Sequence, residues 1–192
     1  MFHAKNYIKV TSLEEAYELN QKKSNAIIGG MLWLKMSNRN MQTAIDLSGL
    51  GMDKIEEQKD AFSIGCMCTL RQMEIHDALN RYFGGAMKDC TRPIVGTQFR
   101  NGATVGGSIF GRFGFSDILT CLLALDTYVE LYHAGVIALS EFVEMPRDND
   151  ILVRIIIKKD GRNIAYRSHR EAATDFPVNA CAGAQPQVQL YV

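Results

Sequence analysis

Two pairs of adjacent glycines, each at the end of a short β-prone run, constrain this chain more than anything else in it. The first closes Ala26-Ile27-Ile28-Gly29-Gly30. The second lies within Ala103-Thr104-Val105-Gly106-Gly107-Ser108-Ile109, with Ser116-Asp117 beginning nine residues after Gly107. A strand that runs into Gly-Gly turns readily, and its backbone is able to lie close to whatever faces it. Amide N–H groups in such a loop suit an anion, and two loops of this kind suit a ligand with two phosphates. Taken singly, Gly29-Gly30 also reads as an ordinary strand-end turn. The second pair, with Arg100-Asn101 before it and Ser116-Asp117 after it, is the more demanding pattern.

Of the 192 residues 47% are hydrophobic, enough to bury a sizeable core. Twenty-one Lys and Arg balance twenty-one Asp and Glu. Without a basic run a nucleic-acid partner is disfavoured, because binding phosphate backbones depends on clustered cations. The opening residues Met1-Phe2-His3-Ala4-Lys5-Asn6 hold no apolar leader, and no segment has the length of a membrane span, so a cytoplasmic protein with no membrane association is expected. Five cysteines, Cys66, Cys68, Cys90, Cys121 and Cys181, are odd in number and scattered, which reads as reduced thiols. None of them forms the close grouping that a plant-type iron–sulfur cluster requires. No metal site is expected.

The pattern of elements predicts an α+β chain in two lobes. Ser12-Leu13-Glu14-Glu15 has the form of a capping box, and Leu13, Ala16 and Tyr17 make an apolar stripe at helical spacing. After this helix come a strand at Ala26-Ile27-Ile28, the glycine turn, an apolar segment Met31-Leu32-Trp33-Leu34 read as a short helix, and a strand from Thr43 to Leu47. This order predicts a small parallel β-α-β lobe over residues 1–57. A second lobe, 58–169, opens with Phe62-Ser63-Ile64-Gly65 and a helix capped by Thr69 with Gln72. It continues with helices over 69–91, a break at Arg92-Pro93, a helix over 117–125, and strands over 127–132, 136–139, 151–157 and 163–167. Lys158-Lys159-Asp160-Gly161 reads as a hairpin turn. Residues 170–192 read as the start of a further, C-terminal domain, truncated or incompletely represented.

Taken in order, Ile28-Gly29-Gly30, Ile64-Gly65 before Thr69-Leu70, Phe99-Arg100-Asn101-Gly102-Ala103-Thr104-Val105-Gly106-Gly107-Ser108 and Ser116-Asp117 resemble the FAD-binding subunit of multisubunit molybdenum hydroxylases, the xanthine dehydrogenase family. Leu122 to Asp126, Glu141-Phe142, Ile151-Leu152, Arg170 and Asp175-Phe176 continue the likeness, over roughly residues 2 to 180. The resemblance implies the two-lobed FAD-binding fold of the vanillyl-alcohol-oxidase and molybdopterin-dehydrogenase type, with a small parallel lobe and a larger lobe of antiparallel sheet and helices. It implies that Ile27, Ile28, Gly29, Gly30, Met31, Leu32 and Trp33 wrap the pyrophosphate and ribityl chain of FAD. Thr104, Val105, Gly106, Gly107 and Ser108 would form the opposing loop, and Ile94 would lie beside the isoalloxazine ring.

Asp117 would accept hydrogen bonds from ligand hydroxyls, although it is equally placed to cap the helix that follows. In either role, Asp117→Asn is expected to leave the melting temperature of the apoprotein nearly unchanged. The chain departs from the family at Met31 and Leu32, where a threonine and then an acidic or polar residue are usual. The resemblance also implies partners: an iron–sulfur subunit that supplies electrons, a molybdenum-cofactor subunit that hydroxylates substrate, and NAD as electron acceptor. No residue reads as a general base or nucleophile, and none is needed where a cofactor carries the redox chemistry. A flavin-free scaffold in the same kind of complex is the alternative.

Overall fold

The structure, a computed structural model, describes residues 2–185. Strand β1 (His3–Lys9), helix α1 (Leu13–Asn20), strand β2 (Asn25–Ile28), a single 3₁₀ turn (Leu34–Met36) and strand β3 (Asn40–Asp46) make the first lobe. Its sheet is three-stranded and parallel, in the order β1-β3-β2. The α1 stripe does what its spacing implies: Ala16 is fully buried, and Leu13 and Tyr17 pack partly buried against the core. Ser12 caps the helix by accepting from the Glu15 amide at 3.1 Å. Glu15 does not close the box. Its carboxylate accepts instead from the amide and hydroxyl of Thr11, at 2.8 and 3.1 Å.

Two local expectations change here. β1 carries no apolar alternation, because it is an edge strand whose side chains are mostly exposed, and so it left no trace in the sequence pattern. The helix expected over Met31 to Leu34 is a turn followed by the 3₁₀ segment. Met31 adopts φ 58, outside the range of a right-handed helix.

The second lobe is built on a five-stranded antiparallel sheet of β4 (Ile55–Glu57), β5 (Ala61–Gly65), β6 (Thr127–Leu131), β7 (Gly135–Ala138) and β8 (Leu152–Lys158), in the order β4-β5-β8-β6-β7. Phe62, Ile64, Val129, Leu131, Ile155 and Ile157 alternate inward and enter the main core. Between β5 and β6 run α2 (Leu70–Ile75), α3 (Asp77–Tyr82), α4 (Ala86–Thr91), α5 (Thr97–Gly102), α6 (Val105–Phe110) and α7 (Asp117–Leu123); α8 (Leu139–Glu144) follows β7. The Thr69–Gln72 capping box forms in both directions, at 2.7 and 3.1 Å. The fold is therefore the α+β arrangement expected, a small parallel sheet beside a larger antiparallel one with helices.

The expected β8–β9 hairpin does not form. Asp160 and Gly161 do turn the chain, with Gly161 at φ 75, but β9 (Asn163–His169) leaves the sheet and pairs antiparallel with β10 (Asn179–Gln185). Both sides of β8 are already occupied, by β5 and β6, so no edge is left for β9 to join. The nine-residue connection between β9 and β10, 170–178, is held by its own hydrogen bonds, among them Ala172 N–H to Asp175 Oδ2 at 3.0 Å and Val178 N–H to the His169 carbonyl at 2.8 Å. Residues 186–192 lie outside the described residues.

Two hydrogen bonds tie α1 to the larger lobe: Asn20 Nδ2 and Gln21 Nε2 both donate to the Asn149 carbonyl, at 2.7 and 3.2 Å. Inside the larger lobe, α2 and α5 are joined by an enclosed ion pair, Glu74 with Arg100, at 2.7 Å. Burial pushes the Glu74 carboxyl upward, but hydrogen bonds from Arg100 and Arg71 outweigh this and hold it below the ordinary carboxylate value. Such a group stabilises the fold fully above its unfolded value of about 4.3, and the stabilisation is lost as pH falls through the lower folded value. Thermal melts should therefore show a fall in Tm below about pH 4 to which Glu74 contributes. Glu74→Gln should melt lower at neutral pH and show a shallower acid decline.

Candidate functional site

A cavity of about 730 Å³ lies between the lobes. One wall is the end of β2 with the loop after it, residues 25–34; the other is built from residues 103–117 and 147–152. The 170–177 connection borders it as well. Thirteen of the fourteen residues singled out in the sequence line this space: Ile27, Ile28, Gly29, Gly30, Met31, Leu32 and Trp33 on the first loop, Thr104, Gly106, Gly107 and Ser108 on the second, and Ile94 and Asp117. Val105 does not. It is fully buried and belongs to the main core.

The two glycine pairs bring the loops together by close packing. A Cβ on Gly30 would stand 1.6 Å from the Gly102 carbonyl oxygen, and one on Gly29 would stand 2.6 Å from Thr104 Oγ1. The side chain of Leu32 reaches down in the same place, with Cδ2 2.8 Å from where a Gly102 Cβ would be. On the second loop a Cβ on Gly106 would meet the Cys66 carbonyl at 2.5 Å. Gly107 differs: only Thr104 Oγ1, at 3.1 Å, is near its absent Cβ. It is the one glycine of the four whose absent Cβ meets no atom closer than 3.0 Å.

The loops divide the polar work unequally. No amide N–H from Gly29 to Trp33 has a hydrogen-bond partner among the described residues. Met31 is in the left-handed region at φ 58, and this stretch of unpaired donors lines the cavity, a chemistry suited to phosphate. The second loop was expected to offer the same, and it does not. Val105 N–H donates to the Cys68 carbonyl at 2.8 Å, Gly106 N–H to that of Cys66 at 2.9 Å, Gly107 N–H to Thr104 Oγ1 at 3.2 Å and Ser108 N–H to the Thr104 carbonyl at 3.2 Å. These donors are spent on docking α6 against the 66–68 segment and on capping it.

Asp117 is buried as the first residue of α7, and the cap of that helix is Ser116, which accepts from Leu119 N–H at 3.2 Å. Asp117 Oδ1 accepts from Tyr166 Oη and Arg170 Nη2, each at 2.5 Å. Its Oδ2 has no hydrogen-bond partner among the described residues. Burial, reinforced by the bond to Asp117, raises the Tyr166 phenol above its ordinary value, so it stays protonated and donating. Arg170 also donates from Nε to the Asp175 carbonyl at 3.0 Å, which fastens the 170–178 connection beside the cavity.

Sequence reasoning missed the aromatic rim. Trp33 packs against Phe99 at 5.4 Å and Phe176 at 5.6 Å; Phe176 meets Phe115 at 4.2 Å, and Phe115 stacks on Phe113 at 5.2 Å. All five line the cavity. The pair Phe113-Gly114-Phe115, in a stretch too short for a core strand, was the available signal. Among the described residues no group of three or more His, Cys, Asp or Glu side chains gathers as metal ligands, and no helix is long and apolar enough to cross a membrane. Cys66, Cys68, Cys90 and Cys121 are buried free thiols, and burial pushes the Cys66 thiol up to about 12.

The FAD binding domain in molybdopterin dehydrogenase, as a sequence family, matches residues 2–159. The chain belongs to that family. FAD is the family's cofactor, and the free amides, the buried carboxylate and the aromatic rim around one cavity are chemically suited to a flavin dinucleotide. The curated relative "Uncharacterized protein YgfM" of Escherichia coli K12 is 27% identical over 182 residues, spanning 93% of this chain and 68% of its own length. Among solved structures, reconstituted CO dehydrogenase from Oligotropha carboxidovorans superposes with a TM-score of 0.85 at 20% identity, covering 98% of this chain and 72% of that one. Quinoline 2-oxidoreductase from Pseudomonas putida 86 gives 0.85 at 17%, covering 95% and 68%. These structures share the fold of this family domain.

Two sets of variants test the site. Gly106→Ala drives a methyl into the Cys66 backbone and should lower stability by about 1–3 kcal/mol, whereas Gly107→Ala should fold with near-parental Tm and bind FAD more weakly; melts paired with FAD titration separate them. Asp117→Asn, expected from sequence to leave stability alone, leaves Arg170 without its buried counter-charge. It should destabilise the apoprotein by about 3 kcal/mol, a fall of roughly 6–12 °C in Tm.

Proposed function

We propose that this chain is the FAD-carrying subunit of a multisubunit molybdenum hydroxylase, working with an iron–sulfur subunit and a molybdenum-cofactor subunit and using NAD as electron acceptor. The observation that carries the proposal is the row of free amides from Gly29 to Trp33, in residues that line the same cavity as Asp117 and the aromatic rim. FAD, when bound, supplies a junction between one-electron and two-electron chemistry.

The residues of this chain bind and orient. Backbone donors of Gly29 to Trp33 hold the pyrophosphate, which makes the loss of the family's polar side chains at Met31 and Leu32 tolerable. Asp117 Oδ2 accepts from ligand hydroxyls while Arg170 and Tyr166 keep the carboxylate in place. Gly107 clears space on the opposite wall beside Thr104 and Ser108. Ile94 would flank the isoalloxazine ring, and Trp33, Phe115 and Phe176 offer aromatic faces on the same cavity. No group on the chain is required to take a proton.

The class of hydroxylase is supported by the family and by the fold shared with CO dehydrogenase and quinoline 2-oxidoreductase. The xanthine dehydrogenase type, NAD as acceptor and a cytoplasmic setting are our finer reading, drawn from the sequence resemblance. The departures at Met31 and Leu32 sustain one alternative, a flavin-free scaffold subunit. Purified protein, reconstituted with FAD if colourless, should carry about one FAD per chain by absorbance and cofactor release, and anaerobic NADH should bleach the flavin band. Protein that takes up no FAD would leave the scaffold; FAD uptake without bleaching would remove NAD.

A further inference from the structure

The function proposed above makes no use of the enclosed Glu74–Arg100 pair, whose residues are 4% and 5% exposed. Arg100 uses its whole fork. On one side Nε and Nη2 donate to Glu74 Oε2 and Oε1 at 2.7 and 3.3 Å, and Arg71 holds the same carboxylate at 3.0 Å. On the other, Nη1 donates to the carbonyls of Ile94 and Val95 at 3.1 and 3.5 Å, and Nη2 to Thr97 Oγ1 at 3.3 Å. Val95 has φ 47. A β-branched residue is poorly suited to the left-handed region, and strained backbone of this kind persists where its surroundings over-determine it. Ile94 and Val95 both line the cavity; Arg100 does not reach it. A buried ion pair contributes little net stability compared with apolar packing, so what this one contributes is geometry.

We propose that Arg100, immobilised by Glu74, is a positioning residue for the cofactor: it grips the carbonyls of Ile94 and Val95, keeps the loop in its left-handed turn, and so presents Ile94 as the wall against which the isoalloxazine ring lies. This rests on the reading of the cavity as an FAD site. Arginine is needed because its planar fork carries N–H groups on three separate nitrogens to acceptors on opposite sides, a span that the single nitrogen of a lysine does not cover. Glycine at position 95 would adopt the turn without strain and would not need to be held there.

A four-protein cycle of parent, Arg100→Lys, Val95→Gly and the double variant tests this, each measured as apoprotein for Tm and for FAD affinity, and as flavoprotein for the visible circular dichroism of the flavin. Arg100→Lys should lower Tm, weaken FAD about tenfold or more, close to 1.4 kcal/mol, and alter the flavin dichroism. Val95→Gly alone, which relieves the left-handed strain while Arg100 still holds the loop, is the reference against which the double variant is read. The double variant should regain most of the lost affinity and the parental dichroism while its Tm stays low. If Arg100→Lys lowers Tm but leaves affinity and dichroism unchanged, or if Val95→Gly fails to rescue them, the pair supports the fold alone and the proposal falls. Should Arg100→Lys not fold, Glu74→Gln takes its place in the cycle with the same expectations. A parent that binds no FAD overturns the underlying reading and this proposal together, and the parent titration shows it before any variant is made.

Discussion

The contact between Gly30 and the carbonyl of Gly102 is the constraint on which the site depends. No side chain fits between them: a β-carbon on Gly30 would lie 1.6 Å from that oxygen. Because the two backbones touch, the first lobe's loop and the second lobe's α5–α6 junction become opposite walls of one cavity. Leu32 and Thr104 then close around the same junction. The sequence signature of paired glycines thus reflects first the meeting of two loops, and only Gly107 has no atom closer than 3.0 Å to its absent Cβ.

Around this junction the distribution of charge is orderly. The main core is apolar and runs from Val10 in the first lobe through Phe62 and Ile155 to Tyr166 on β9. The two enclosed arginine–carboxylate pairs with least exposure, Glu74–Arg100 and Asp117–Arg170, sit beside loops that border the cavity. Each arginine also donates to backbone carbonyls of an irregular segment, Ile94 and Val95 in one case and Asp175 in the other. Segments without a ladder of their own are in this way held by side chains.

Much of this was legible in the sequence, for physical reasons that differ by region. The α1 stripe, the Thr69–Gln72 cap and the alternation of β8 are local signals, and each appears where its pattern put it. β1 was silent because an edge strand needs no apolar face, and the fate of β9 was misjudged because Asp160-Gly161 reports a turn without reporting which strand the chain pairs with next. In the cavity, thirteen candidate residues converge as lining and Val105 turns inward, since a residue in the first turn of α6 has one face on the core. What the sequence could not disclose is bookkeeping among donors. Gly29-Gly30 and Gly106-Gly107 look alike as letters, yet the amides following one pair are free and those around the other are occupied, two by the distant carbonyls of Cys66 and Cys68 and two by Thr104 nearby.

The chain contains a single tryptophan, and the fold puts it in the rim of the cavity. Trp33 is 48% exposed, held edge-on by Phe99 and tilted against Phe176. Indole emission from this protein therefore has one origin, at the meeting point of the first loop, α5 and the 170–178 connection. Its colour reports how wet that corner is, and its intensity reports whether a light-absorbing ring lies within energy-transfer range. The molecule carries its own optical probe of the space between its lobes.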